Sequence, residues 1–421
     1  MTEQVFLQPD SPMRTHFSDA VSALPQRRLN HGECQTPAGK TCTLCAAYRI
    51  GYAVEHETKN AALQMFWNAQ GFGRPLEPLV ASPLGRHYRV VTKRKVFVSG
   101  RKVQLGLIGT DEEGTGLSPV PVDECVIEPE AHAKIYRLVQ SQLGGKESRD
   151  FAEAMNYVIV KGNYDEFSVI FNLAGFNHVI RQDVNRLSKQ LTQTIKEITG
   201  VFVVVDERRS RYYMPQRHEG QRLQYQKIFG KSEIFQRVAG KKFLFSPLSF
   251  SQTNLSMMEI FIATMKNLLD LDMHDHILDL YSGFGIFSLS LADKVRKATG
   301  IEISRDALHD SIENARRLSA SNCTYIAGDI NGESLERIFS SHRTISKVIL
   351  DPPRNGTKPD VIEIIAASNI QRALHIFCNI GLLPAEMKRW ADCGYKIVKA
   401  VPFDMFPGTS EVEVMALLAK G

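Results

Sequence analysis

"HILDLYSGFG", residues 276–285, is an apolar strand that runs straight into a glycine-rich turn. Its two glycines stand where the backbone has to turn tightly and pass close to a ligand. Strand-like and helix-like segments alternate on both sides of this turn, from "NLSMMEIFIATMKNLL" (254–269) to "ALHIFCNI" (373–380). This alternation predicts an α/β fold for residues 246–421, with a Rossmann-like, doubly wound parallel sheet whose ligands bind beyond the carboxyl ends of the strands.

The sequence before residue 246 predicts three further regions. Residues 31–130 are loop-rich and contain cysteines, and two strand-like pieces flank Gly100 and Arg101 as a hairpin would, so we expect a small cysteine-rich β domain. Residues 131–245 predict an α+β central portion with antiparallel hairpins. Residues 1–30 show no firm period, and we expect them to be a poorly ordered extension.

Composition excludes two broad classes of protein. The 421 residues are 43% hydrophobic, and no run approaches the roughly 20 apolar residues needed to span a bilayer. The start of the chain lacks the apolar core of a secretory signal. We therefore expect a cytoplasmic protein, where seven cysteines are not a disulfide framework but candidate ligands or nucleophiles. The net charge of +5 is small for this length, so local clusters of charge say more about partners than the average does.

Three strand ends form a candidate cofactor site. Gly283 and Gly285 make the first turn, Glu302 ends the next strand, where an acid can accept hydrogen bonds from ribose hydroxyls, and Asp329 follows a third strand. The turn is not GxGxxG, and the order of glycine turn, Glu and Asp fits S-adenosylmethionine better than NAD. The alternative is that these are ordinary turn glycines and solvated acids.

Cys378 follows an apolar strand in "HIFCNIGLLP" (375–384), and "ILDPPRNG" places Asp351 and two prolines after the preceding strand. The prolines make a rigid loop suited to a flat ring. A thiolate that adds to carbon 6 of uracil makes carbon 5 nucleophilic, so Cys378 is a candidate for covalent catalysis. The alternative is a small buried hydrophobic side chain.

Covalent catalysis also requires a base that removes the proton from carbon 5. Glu411 and Glu413 lie in a strand-like, otherwise apolar segment, where alternation places both on one face and burial can raise a carboxyl pKa. The alternative is an ordinary charge on an edge strand.

The elements "LSFSQTN", "DLYSGFG", "GIEIS", "DPPRNG", "FCN" and "DMFPGTSEVE" occur in this order over the last 175 or so residues and resemble the RNA uracil-5 methyltransferase family. The resemblance implies that Cys378 is the nucleophile and Glu413 the base. It also implies four residues that line the S-adenosylmethionine site: Gln252, Tyr281, Glu302 and Asp351. Two features depart from the family pattern, since Phe377 replaces the usual serine and "GTSEVE" replaces "HTxHxE".

Four cysteines can form a metal site: Cys34, Cys42, Cys45 and Cys125. The spacing alone allows either zinc or an iron-sulfur cluster, with zinc the usual choice for an isolated domain. The resemblance implies a [4Fe-4S] cluster, as in bacterial ribosomal RNA members of the family. The wide first gap resembles the branch that methylates a hairpin-loop uracil of 23S rRNA, the uracil-747 type.

Basic residues cluster between Gly85 and Lys102, interleaved with Tyr88 and Phe97: Arg86, Arg89, Lys93, Arg94, Lys95, Arg101 and Lys102. This density favours phosphate contacts, and aromatic rings can stack on bases, although a solvated basic hairpin is the alternative. A second basic stretch (214–231) can extend the RNA track. The target uracil has to flip out of the RNA, which is easiest from a loop.

The sequence thus predicts a monomeric RNA (uracil-5-)-methyltransferase that acts on 23S rRNA. Methylation at another 23S site or in tRNA is an alternative, although tRNA members normally lack the four-cysteine domain. An alternative of another class is a noncatalytic RNA-binding metalloprotein. An amino methyltransferase is disfavoured because Arg354 occupies the position of the aromatic residue that such enzymes use.

Overall fold

The computed structural model describes residues 12–29, 32–34, 45–100, 102–110, 117–145, 148–209, 213 and 225–421. The α-helices follow in chain order: α1 (Pro12–Ser22), α2 (Gln26–Leu29), α3 (Tyr52–Gln70), α4 (Glu130–Leu143), α5 (Arg149–Ala154), α6 (His178–Thr194), α7 (Met258–Leu269), α8 (Ile286–Leu291), α9 (Arg305–Arg317), α10 (Gly332–Ser341), α11 (Val361–Ala367) and α12 (Leu383–Asp392). Short 3-10 helices cover Ala46–Tyr48, Leu255–Met257 and Ala292–Lys294.

The strands are β1 (Val91–Ser99), β2 (Lys102–Thr110), β3 (Leu117–Pro121), β4 (Met155–Gly162), β5 (Phe167–Leu173), β6 (Ile198–Val205), β7 (Tyr225–Gly230), β8 (Ile234–Val238), β9 (Lys241–Phe245), β10 (His276–Leu280), β11 (Lys297–Glu302), β12 (Cys323–Ala327), β13 (Lys347–Leu350), β14 (Arg372–Phe377), β15 (Tyr395–Phe403) and β16 (Glu413–Lys420). They form two seven-stranded sheets and the separate β8–β9 hairpin.

The carboxy-terminal sheet has the order β12-β11-β10-β13-β14-β16-β15. Strands β10 to β14 pair in parallel, whereas β16 and β15 are antiparallel additions at one side. Two apolar clusters cover its opposite faces, since strand residues alternate between them. The predicted Rossmann-like sheet is therefore confirmed, and the chain order reverses beside β10, where such sheets bind ligands.

The amino-terminal sheet has the order β3-β2-β1-β4-β5-β6-β7. The expected hairpin is present, because Ser99 of β1 pairs with Lys102 of β2 and Gly100 takes a positive φ of 58°. However, β1 also pairs with β4. The strands expected for a separate β domain (31–130) and those of the α+β portion (131–245) therefore share one sheet.

The expectation that residues 1–30 form a poorly ordered extension is wrong where the structure describes them. Helix α1 packs on α3, and it buries three side chains in the core of the carboxy-terminal sheet: Met13, Phe17 and Val21. These residues recur every four positions, which is the spacing of one helix face. Residues 1–11 lie outside the described part. Among the helices that are described, none combines the length and apolarity required to cross a membrane.

Candidate active site

The candidate active site forms where three neighbouring strands end. Cys378 directly follows β14, Asp351 directly follows β13, and Glu413 is the first residue of β16. Strand β14 lies between the other two, with its last residue, Phe377, opposite Val414. Sheet register therefore brings together a thiol and two carboxyls from three separate segments of the sequence, which lie between residues 351 and 413.

The Cys378 thiol is half-buried and lies against the proline loop, with Sγ 3.6 Å from the Pro352 carbonyl oxygen. Burial, with further contributions from Asp351 and Glu413, raises the pKa of Cys378, whereas Arg354 lowers it. Asn379 donates a hydrogen bond of 3.0 Å from Nδ2 to the Arg354 carbonyl oxygen. The loop after Cys378 and the DPPR loop are thus fastened to each other.

Phe377, which departs from the family pattern, points away from the thiol. Its ring is 3% exposed and stacks on His375 with ring centroids 4.0 Å apart. Successive residues at a strand end face opposite sides of the sheet, so a large apolar residue at this position fills the core without covering Cys378.

A cluster of carboxyl groups lies beside the thiol. Burial raises the pKa of Asp279 to about 7, and burial together with neighbouring Glu413 and Asp279 raises that of Asp351. Burial also raises the pKa of Glu413, against a lowering effect of Arg354. An acid with a raised pKa can exchange a proton near neutrality, as a general base must.

Glu411 lies outside the strand that holds Glu413, in contrast to the expectation of one continuous segment with both acids on one face. Its Oε2 is 3.6 Å from Nη2 of Arg354, whose guanidinium is 6.0 Å from the Phe406 ring centroid. Arg354 therefore connects the DPPR loop to the segment that leads into Glu413.

The glycine turn and Glu302 form a second part of the site. Gly283 has a φ of 56° and open space where a Cβ would stand, and its N–H donates a hydrogen bond of 2.9 Å to Glu302 Oε2. Tyr281 also has a positive φ, 64°, and its buried hydroxyl has no hydrogen-bond partner among the described residues. A strained residue with an unsatisfied hydroxyl beside a glycine turn is typical of a ligand-binding position.

The other predicted cofactor residues differ in how they are held. Asp329 pairs with Lys358 and accepts a hydrogen bond of 3.3 Å from Asn331. Gln252 is half-buried, and its backbone carbonyl accepts a hydrogen bond of 3.1 Å from Gln236.

Residues 214–421 match the sequence profile of a known family, described as tRNA (Uracil-5-)-methyltransferase. These residues belong to the RNA uracil-5-methyltransferase family.

Several relatives extend the similarity. RNA methyltransferases of uncharacterized function from Clostridium tetani and Thermotoga maritima are 27% and 25% identical, over 92% and 90% of this chain and 84% and 83% of their own lengths. One from Streptococcus agalactiae is 26% identical over 63% of this chain and 56% of its own length. The Pyrococcus abyssi tRNA (uracil-54, C5)-methyltransferase, solved with S-adenosyl-L-homocysteine, shares the fold with a TM-score of 0.64 at 19% identity, over 88% of this chain and 84% of that one. The protein is thus an S-adenosylmethionine-dependent RNA uracil-5-methyltransferase.

Sequence reasoning overlooked two residues of this methyltransferase. Asp279 is fully buried, its Oδ2 accepts a hydrogen bond of 3.0 Å from Ser288 N, and its Oδ1 has no partner within the described ranges. Its position in the strand before the glycine turn was the available signal. Phe250 is 68% exposed and stands two residues before Gln252, where an exposed aromatic ring invites a stacking partner.

These residues fit S-adenosylmethionine chemically. The cofactor carries a sulfonium and an ammonium, and the site offers carboxyl groups that can interact with both. The unsatisfied Asp279 Oδ1 and Tyr281 hydroxyl are further groups that a polar ligand can pair with.

The cysteines predicted as metal ligands are partly described. Cys34 donates from its backbone N–H to the Ala47 carbonyl at 3.0 Å, which ties it to the segment after Cys45. Burial, with further contributions from Glu128 and Cys45, raises the pKa of Cys125. Cys42 lies outside the described residues. Within the part of the chain that the structure describes, no three metal-ligating side chains converge.

The predicted RNA-binding residues are not equivalent. Arg94 is 2% exposed and makes a two-pronged ion pair with Glu128, both N–O distances 2.8 Å, so it is a core residue and not a phosphate contact. Strand alternation explains this, because Arg94 faces inward while Lys93 and Lys95 face the other side. Arg86 is also mostly buried and pairs with Glu33 and Glu55.

Some of the predicted basic residues that face outward are accessible to RNA. Lys93 lies 4.1 Å from the centroid of the Tyr213 ring, and burial with Arg89 and Arg354 nearby lowers its pKa to about 8. Lys95 donates to Asn156 at 2.7 Å, and Lys102 is exposed. Arg101 and most of the second basic stretch, 214–224, lie outside the described residues.

Proposed function

We propose that this enzyme methylates carbon 5 of a loop uracil in 23S rRNA, of the uracil-747 type, through a covalent adduct between Cys378 and carbon 6. The observation that carries the proposal is the meeting of one thiol with two carboxyls of raised pKa at the ends of adjacent strands. A thiol and a base are the two groups that this chemistry requires.

The reaction balances with these groups and the methyl donor. The Cys378 thiol gives its proton to a neighbouring carboxylate as its sulfur forms a bond to carbon 6, and the ring electrons move to make carbon 5 nucleophilic. S-adenosylmethionine supplies the methyl group that carbon 5 accepts. Glu413 then removes the proton from carbon 5, and the electron pair of that C–H bond restores the ring double bond and expels the thiolate.

The resting thiol is protonated, because burial and the neighbouring carboxyls raise its pKa. Arg354 is positioned to favour the thiolate, and it also lies beside Glu411. We expect Arg354 to stabilise the anionic forms of both the sulfur and the uracil oxygens, as a guanidinium does in a water-poor site.

For the cofactor we propose that Glu302 accepts hydrogen bonds from the ribose. Gly283 lets the backbone approach, and Tyr281 and Gln252 line the pocket. Asp329 would read the adenine once Lys358 is displaced, and Asp351 would face the methyl donor. Asp279 joins this set because its unsatisfied oxygen lies directly before the glycine turn.

We propose that Cys34, Cys42, Cys45 and Cys125 hold a [4Fe-4S] cluster, with zinc the alternative occupant that metal analysis would distinguish. The proposed RNA surface comprises Arg89, Lys93, Lys95, Arg101 and Lys102, whereas Arg86 and Arg94 are left out because both are buried and paired with carboxylates. We retain the boundary between residues 245 and 246 and join the regions 31–130 and 131–245, whose strands share one sheet. We also propose a monomeric state and a reducing cytoplasm, where a catalytic thiol persists.

Adduct formation tests the mechanism. Wild-type enzyme, incubated with S-adenosylmethionine and a 5-fluorouridine-containing 23S hairpin, should form a protein–RNA adduct stable to denaturing gels, because fluorine cannot leave as the proton does. Cys378→Ala should form none. Cys393→Ala, a half-buried thiol at the end of α12, is the matched control and should react normally. No wild-type adduct, or an equal adduct with Cys378→Ala, would refute the mechanism.

The substrate is tested by mapping 5-methyluridine in RNA from a deletion strain. Loss at the 747-type loop of 23S rRNA supports the proposed target. Loss at another 23S position or in tRNA identifies one of the alternative substrates, and an unchanged map favours the noncatalytic RNA-binding protein.

A further inference from the structure

The segment between β15 and β16, residues 404–412, leads directly into Glu413 and is held from outside its own domain. We refer to it as the 404–412 loop. Its internal hydrogen bonds involve Thr409, whose N–H and hydroxyl both donate to the Phe406 carbonyl oxygen and whose hydroxyl accepts from the Glu411 N–H. The first five residues of the loop, 404–408, are held in addition by neighbouring elements.

Two charged residues of α3 make the central contacts. Lys59 Nζ lies 2.8 Å from Asp404 Oδ1 and 3.4 Å from the Phe406 carbonyl oxygen. Glu55 Oε1 accepts a hydrogen bond of 2.5 Å from Gly408 N and lies 3.3 Å from Lys59 Nζ. The side chains of Glu55, Lys59 and Asp404 are all fully buried. Two residues one turn apart on α3 thus bind both ends of the segment 404–408.

Further contacts complete the grip. The Tyr88 hydroxyl donates to the Pro407 carbonyl at 2.9 Å, and Asn254 Nδ2 donates to the Met405 carbonyl at 3.2 Å. Ala46, directly after Cys45, donates its N–H to the Gly408 carbonyl at 2.6 Å. Consecutive peptide groups before Glu413 are therefore fastened to the amino-terminal part of the chain and to the QTN element.

We propose that Glu55 and Lys59 are positioning residues for the general base, holding the 404–412 loop so that Glu413 and Arg354 meet the uracil. This inference rests on the proposed function. It extends that function by assigning α3, more than 340 residues away in sequence, to the proton-removal step.

The physical reason is the sensitivity of proton transfer to distance. Nucleophilic attack depends on Cys378, which β14 and the proline loop hold without help from α3. Proton removal depends on Glu413, whose strand begins five residues after Gly408, the last residue that these contacts hold. Loosening the loop should therefore slow proton removal more than adduct formation, whereas a general loss of folding would reduce both together.

The test separates these two steps in the full-length enzyme. Glu55→Gln removes one charge with little change in shape, and the double variant Lys59→Met with Asp404→Asn removes a charge from each partner. Adduct formation on 5-fluorouridine RNA reports attack and methyl transfer. On uridine RNA the transferred methyl group is labelled. The fraction of label that remains in the protein–RNA adduct rises when proton removal is slow.

We expect near wild-type adduct formation on 5-fluorouridine RNA. On uridine RNA we expect trapped adduct to rise about tenfold or more, a fraction of the full contribution of a general base. Lys59→Arg keeps the positive charge, so this variant should release most of the methylated RNA from the adduct, unlike the variant that contains Lys59→Met. The matched control is Lys388→Met, which removes an exposed lysine whose partner Asp392 is also four residues away, and it should behave as wild type.

Each outcome is informative. A parallel fall in both assays, or no change in either, would overturn the positioning role. Should Glu55→Gln fail to fold, the double variant decides, because it leaves Glu55 paired with Arg86. Absence of the wild-type adduct on 5-fluorouridine RNA would instead refute the covalent mechanism itself.

Discussion

The 404–412 loop begins in one cluster of buried carboxyls and leads into another, and the two clusters differ in the cations beside them. Glu55 and Asp404 lie beside Lys59, and Glu55 also pairs with Arg86 at 2.9 Å. Asp279, Asp351 and Glu413 instead lie beside one another, with Arg354 as the neighbouring cation that lowers the pKa of Glu413.

The presence or absence of close cations indicates a different role for each cluster. Removing a carboxylate from water costs free energy, which a close cation offsets. A cluster whose carboxylates are offset by close cations can serve as a fixed support. A cluster without them retains protons, or gains stability when a cationic ligand arrives. The second description matches a site that binds a sulfonium and exchanges a proton with substrate.

The largest expected effect comes from Glu413→Gln in the uncompensated cluster. The amide has nearly the same shape but cannot accept the proton from carbon 5, so turnover should fall by about 10²- to 10⁴-fold. Single-turnover assays on uridine RNA should show the methylated adduct accumulating. Normal turnover by this variant would assign the base role elsewhere, and Glu411→Gln is the companion variant that tests the neighbouring acid.

Replacing one aspartate by asparagine in each cluster tests the difference between the two clusters. Asp404→Asn leaves buried Lys59 without the closer of its two carboxylates and should destabilise the protein by about 3 kcal/mol, the lower end of the usual cost of breaking a buried pair. Asp279→Asn removes a charge that has no cationic partner, so we expect unchanged or slightly higher stability together with weaker S-adenosylmethionine binding.

Denaturant unfolding at pH 8 without cofactor measures both free energies of unfolding, and calorimetry measures cofactor affinity. Equal destabilisation by the two substitutions would remove the distinction between the clusters. Cofactor affinity unchanged in Asp279→Asn would remove this residue from the proposed site.

Residues whose positions depend on local patterns were predictable from the sequence. Cys378, Asp351 and Glu302 stand at strand ends, and alternation of strands and helices suffices to place such ends at one edge of a parallel sheet. Two errors were avoidable by the same logic. Met13, Phe17 and Val21 recur at helical spacing, and the alternation of β1 places Arg94 on the inner face.

Contacts between distant residues were not predictable in this way. The Lys59–Asp404 pair joins residues 345 positions apart, and each looks like an ordinary surface charge in its own segment. The union of β1 with β4 likewise depends on pairing across a chain that composition divides into separate regions. No local pattern encodes which cation ends beside which carboxylate.

The smallest effect is a pH dependence that only the uncompensated cluster should produce. The ordinary pKa of an aspartate is 3.8, and burial raises the folded-state pKa of Asp279 to about 7. Between these values the folded state holds a proton that the unfolded state has lost, so the contribution to stability is full below pH 3.8 and declines as pH rises through 7. The slope is at most about 1.4 kcal/mol per pH unit for one group.

Unfolding of the cofactor-free enzyme at pH 5.5 and 6.5 should therefore show lower stability at the higher pH, and Asp279→Asn should reduce that difference by about 1 kcal/mol. The exposed acid Asp392 provides the control Asp392→Asn, which should leave the difference unchanged. A slope that is identical in wild type and Asp279→Asn would mean that this carboxyl is already ionised in the folded enzyme, and the cluster would then need a cation that offsets it.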